Sequence, residues 1–64
     1  MNEIKIGDAV HYTPAFGLKE NGIVKSINDS KTVAWVVYKC FEWHRYYDYT
    51  ACATNIEDLT NGWI

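Results

Sequence analysis

The sequence predicts an all-β fold: a small five-stranded barrel with one short helical turn before the last strand. Three observations carry that expectation. Short runs rich in Val, Ile, Thr, Tyr and Trp alternate with clusters of Gly, Asn, Asp and Ser, which is the punctuation of strands and turns. One run, "TVAWVVYKC", is β-forming throughout. The chain has 64 residues, room for one domain, and a domain of that size buries only about 60% of its unfolded surface.

The elements follow in order. Gly7-Asp8 is a turn signal, and the run behind it places Val10 and Tyr12 on one face and His11 and Thr13 on the other. "PAFGLKENG", residues 14–22, holds the single proline and reads as a long loop. "GIVKSI" is the second strand and "NDSK" a turn. The third strand, residues 32–40, is apolar on both faces: Val33, Trp35 and Val37 on one, Ala34, Val36, Tyr38 and Cys40 on the other. A strand of a small antiparallel sheet normally shows one face to water, so its second face must be covered by a curled segment, a second subunit or a ligand. "YTACAT" reads as the fourth strand. Asn55 is placed to cap a helical turn with Glu57 and Asp58 in it. "NGWI" reads as a closing strand, with Trp63 plugging an end of the core. This order is the layout of an SH3-like barrel spanning residues 1–64.

Composition narrows the function. The chain is 48% hydrophobic and 16% aromatic, with three Trp, five Tyr and two Phe. So many rings exceed what a small interior holds, and rings left at the surface favour self-association or a recognition face. The formal charge is −2, from six Lys plus Arg against eight Asp plus Glu. That balance argues against duplex DNA, which requires several cations on one face. No long apolar run or leader-like start is present, so the chain reads as cytoplasmic and not membrane-bound. Cys40 and Cys52 lack paired spacing; with His11 and His44 they make a four-ligand set only on paper, and no metal is expected. No phosphate loop, nucleophile elbow or paired carboxylate motif appears, so neither catalysis nor a cofactor is expected.

"GDAVHY.P", "ENGIVKSI", "VVYKC", "Y.DYT...T" and "IEDL..GW", taken together from residue 6 to 63, resemble a family of very small proteins encoded by bacteriophages and prophage-bearing genomes. The resemblance implies an SH3-like barrel in the host cytoplasm. By category it implies an oligomeric sponge that withholds a cyclic oligonucleotide signal from host defence.

The segment "CFEWHRYYDYT", residues 40–50, holds five aromatic rings and a histidine. Bases stack on Trp and Tyr, and phosphates seek Arg, Lys, Ser or Thr donors. Trp43, Tyr46 and Tyr49 supply rings, and Arg45 and Thr50 supply donors. If residues 46–50 are extended, one set of side chains faces the core and the other a ligand. Glu20 and Asn21 are candidates to read a base edge or ribose, Phe16 to act as a lid, and Lys39 to meet a phosphate. The first expectation is therefore a homo-oligomeric, non-catalytic binder of a small anionic nucleotide. The alternatives are a Tudor- or SH3-type peptide-binding module, to which Glu42, Asp48 and the rings would offer a cation site, and a single-stranded nucleic-acid binder, which the negative charge disfavours.

Overall fold

The structure is a computed structural model and describes residues 3–64. Five strands, β1 (Ala9–Tyr12), β2 (Glu20–Ile27), β3 (Val33–Tyr38), β4 (Cys52–Asn55) and β5 (Leu59–Asn61), form one antiparallel sheet in the order β4-β3-β2-β1-β5. A 3₁₀ segment, Trp43–Asp48, precedes β4, and a 3₁₀ turn, Ile56–Asp58, precedes β5. The all-β barrel-like layout expected from the sequence is present.

Register fixes which side chains share a face. Val10 pairs with Gly22, Val24 with Val36, and Ala34 with Thr54. Cross-strand partners point the same way, so Val10, Val24, Ala34 and Val36 converge with Leu59 into the inner core. Ile23 and Val37 pair with each other on the opposite face and are also buried. Their cover is the 3₁₀ segment, which packs over β2. The outer face is therefore covered on the β2 side by a curled neighbouring part of the chain, while Trp35 on β3 stays 37% exposed.

Three ties hold that cover down. A register shift between Val24 and Ser26 leaves Lys25 at a bulge, and such a bulge re-aims its side chain. The Lys25 ammonium donates to the Tyr49 carbonyl at 2.8 Å. The Tyr46 hydroxyl reaches back to the Gly7 turn. The Trp43 ring lies 4.8 Å from that of Trp63. The C-terminal residues cross the same face: the His11 Nδ1–H donates to the Gly62 carbonyl at 2.8 Å, the Trp63 indole N–H to the Gly22 carbonyl at 2.8 Å, and Asn21 both accepts from Ile64 N–H and donates to its carbonyl.

Several local expectations change. The extended path considered for residues 46–50 holds only beyond the 3₁₀ segment: Tyr46–Asp48 belong to that segment and Tyr49 is extended. The first loop ends at Lys19, and Asn21-Gly22 lies inside β2, where a close strand crossing uses the missing Cβ. Asn55 gives no side-chain cap to the Ile56–Asp58 turn; three residues are too few to leave a row of amides that needs one. The last strand is Leu59–Asn61, and Trp63 covers the outer face with 44% of its surface still exposed instead of plugging the inner core.

The β2–β3 turn is built around Asn28. Its carboxamide oxygen accepts from the Thr32 and Val33 amides, and its nitrogen donates to the Ser30 and Thr32 hydroxyls. Asn28→Ala removes all four bonds and leaves two amides to find water. The expected loss is about 1–2 kcal/mol, read as a melting midpoint lower by roughly 5–15 °C in a domain this small.

Candidate functional site

The sheet does not close: β4 and β5 are its two free edges. Between them the inner face opens into a groove of about 460 Å³ lined by Tyr12, Glu20, Val33, Tyr38, residues 52–55 and Asp58. The pattern that builds the core also builds this mouth. Tyr12 continues the face of Val10, Tyr38 continues that of Val36, and Glu20 stands opposite Tyr12. The inner face thus passes from valine to tyrosine and carboxylate as it leaves the core.

The two tyrosine rings lie 6.3 Å apart and tilted by 57°, a spacing within the range of favourable aromatic contact. The Tyr38 hydroxyl and the Thr54 hydroxyl are 3.0 Å apart, and Thr54 Oγ1 also donates to the Cys52 carbonyl at 3.4 Å. Burial pushes the Tyr38 phenol above the ordinary value of 10.0. The Thr54 bond pulls it down, and Cys52, Tyr12 and Glu20 add smaller upward pushes. The phenol stays neutral and its ring electron-rich over the whole physiological range.

The sign of the pH effect follows. The unfolded chain releases this proton near 10.0, and the folded chain holds it above that value. Stability from this group is complete below pH 10 and falls as pH rises through the folded value. Tyr38→Phe has no such proton. Its urea midpoint starts lower, because the Thr54 bond is lost, and falls less steeply with alkaline pH than that of the parent. Parallel alkaline slopes in the two proteins would contradict the assignment.

Glu20 and Asp58 make the groove acidic. No Lys, Arg or His is among its lining residues. The Lys39 ammonium lies 3.6 Å from Glu20 Oε1, with 82% of its side chain exposed, so it sits at the rim as a partner of that carboxylate. Cys52 lines the groove as a free thiol without a histidine in the lining. His11 is engaged with Gly62 and His44 lies on the 3₁₀ segment.

Of the residues expected from the sequence to bind a ligand, Glu20 lines this groove and Lys39 flanks it. Trp43, Tyr46 and Tyr49 belong to the outer-face cover. Arg45 donates to Asp48 through Nε at 3.0 Å and Nη2 at 2.9 Å, with Glu42 3.9 Å away. Two carboxylates already answer its charge. Thr50 is exposed beyond that segment. Asn21 clasps Ile64 on the outer face, and Phe16 stands 91% exposed in the first loop. Tyr12, Tyr38, Thr54 and Asp58 were not singled out as ligand residues. The signal that finds them is the alternation that carries the valine face onward to a tyrosine at the end of β1 and of β3.

Among the described residues no group of three or more His, Cys, Asp or Glu is arranged to hold a metal ion. No helix among them is long and apolar enough to cross a membrane. No family model, curated protein or solved structure matches the chain.

Proposed function

We propose that this chain is a non-catalytic recognition module whose groove takes a cationic side chain of a peptide or protein partner, in the manner of a Tudor- or SH3-type domain. One observation carries the reading: Tyr12, Tyr38, Glu20 and Asp58 line a single open groove whose lining has no cation, the nearest being Lys39 at the rim, 3.6 Å from Glu20 and largely exposed. A ring face attracts an ammonium or guanidinium by about 0.5–2 kcal/mol, depending on how far it is desolvated. The carboxylates accept its N–H donors with charge-assisted bonds. A phosphate would meet the same two carboxylates unfavourably.

A second reading rests on the other face. Trp35, Tyr47 and Trp63 are partly exposed, and such rings suit a subunit seam or stacked bases. Together with the resemblance to small phage proteins, this supports a sponge for a cyclic oligonucleotide. Its weakness is Arg45, which Glu42 and Asp48 already engage.

Thermal melts separate the two readings. The panel contains short peptides with lysine, trimethyllysine or arginine, and cyclic di- and trinucleotides. A ligand at 100 times its Kd adds about 2.7 kcal/mol, a rise of roughly 10–20 °C here. The expected result is a rise with the basic peptides, weakened about tenfold or more in affinity by the pair Glu20→Gln and Asp58→Asn, which removes both charges. A rise with a cyclic nucleotide and none with the peptides overturns the groove reading in favour of the sponge.

A further inference from the structure

The groove runs along the whole of β4, since Cys52, Ala53, Thr54 and Asn55 all line it. β4 is also a free edge of the sheet, with β3 its single strand partner. Every second residue of such a strand turns its backbone N–H and C=O away from its neighbour. Among the described residues, the backbone–backbone bonds outside the strand ladders include none from residues 52–55, and the one side-chain bond to this backbone is the Thr54 hydroxyl on the Cys52 carbonyl at 3.4 Å. The edge is short and carries none of the lysines or prolines that blunt exposed edges, and its sequence, "CATN", is uncharged.

The geometry points to β4 as a docking edge for an extended basic segment of a partner protein, which adds as a sixth strand and drops a Lys or Arg side chain into the groove between Tyr12, Tyr38, Glu20 and Asp58. The inference rests on the groove reading above and adds the mode of docking. Strand addition supplies affinity through main-chain bonds, and alternate side chains supply specificity. On an added strand successive side chains point to opposite faces, so every second residue of the partner faces the mouth. Charge complementarity selects the occupant. A second copy of this chain would present another neutral β4 and bring a second Glu20–Asp58 pair beside the first. A basic strand meets those carboxylates with the opposite charge.

The test uses three probes on the full chain, followed by amide and aromatic NMR. An acetylated, amidated pentapeptide alternating threonine with lysine is the strand-forming probe. The same peptide N-methylated at alternate residues keeps its side chains but loses the donors a ladder needs. N-acetyl-lysine methylamide carries the cation with almost no backbone. The unmethylated peptide is expected to slow exchange of the outward amides of residues 52–55 and to bind about tenfold or more tighter than its methylated form, the effect of two lost hydrogen bonds. Equal affinity of the two peptides, with Tyr12 and Tyr38 signals still shifted by the lysine derivative, overturns the docking edge and leaves the groove reading standing. Silence of the tyrosine signals toward all three probes sinks the groove reading and the docking edge with it. Protection of residues 52–55 without peptide, together with a dimer in sedimentation, overturns the inference by showing that the edge pairs with a second copy.

Discussion

Gly22→Ala is expected to unfold a large fraction of the protein at room temperature. A Cβ at this position would stand 2.5 Å from Val36 Cγ1, 2.8 Å from the Val37 carbonyl oxygen and 3.0 Å from Tyr38 Cδ1. Val36 is fully buried, so its methyl has nowhere to go, and the carbonyl belongs to the central ladder. Overpacking of a tight core costs about 1–3 kcal/mol and more where backbone must move. Small domains hold only about 3–5 kcal/mol in total. Urea denaturation followed by circular dichroism is the check. The fold as described predicts a midpoint near zero denaturant. A variant within about 0.5 kcal/mol of the parent, the scatter of ordinary surface changes, would mean that β2 and β3 do not approach this closely. Gly17→Ala is the control. Gly17 has open space around it but a φ of +99°, so alanine there costs backbone strain, on the order of 1 kcal/mol, and no clash.

Trp63→Ala comes next in size. The substitution removes an indole packed at a tilt of 48° against Trp43 and the bond from its N–H to the Gly22 carbonyl. About half of an indole's contact area, one aromatic pair and one hydrogen bond sum to about 2–3 kcal/mol. The loss is local in character: with Trp63 gone, the 43–48 segment keeps only Lys25 and the Gly7 contact as ties to the sheet. Amides of that segment are therefore expected to exchange faster relative to those of β2 and β3. Trp63→Phe keeps a ring against Trp43 and forfeits the N–H, so its cost should be about 1 kcal/mol. If Trp63→Ala and Trp63→Phe melted together, the ring contact would not be holding the segment.

The sequence made the inner sheet legible and the outer cover only partly so. Val33–Tyr38 reads as a strand because its β-branched and aromatic side chains fit a pleated surface, and its apolarity on both sides correctly demanded a second cover. The identity of that cover was hidden. "WHRYYD" is made of residues that serve a strand as readily as a helix, and its short-range helical bonds are local while the contacts that select them are distant, from Gly7, Lys25 and Trp63. Arg45 even departs from helical backbone within the segment, with φ −119° and ψ 28°. Asn21-Gly22 shows the same override. The pair is the commonest hairpin signal, yet here glycine admits Val36 and Tyr38, and asparagine reads the backbone of Ile64. The groove is half legible: Glu20 stands out as a candidate, Tyr12 and Tyr38 read only as continuations of the valine faces, and Asp58 reads only as part of the turn before the last strand.

The wrapped outer face also divides the chromophores of this protein. By strand alternation Trp35 stands on the outer side of β3 with Val37, and the Trp43 and Trp63 rings meet at a tilt, 4.8 Å apart, within the cover. Trp43 and Trp63 therefore watch the cover, and Trp35 stays 37% exposed on the outer side, whereas Tyr12 and Tyr38 watch the groove. Tryptophan emission will follow release of the 43–48 segment even while the valine core stays folded. The ring signals of Tyr12 and Tyr38, resolved individually by NMR from those of Tyr46, Tyr47 and Tyr49 on the cover, will follow occupancy of the mouth. Transitions that fail to coincide between these probes would then map onto separate faces of one sheet.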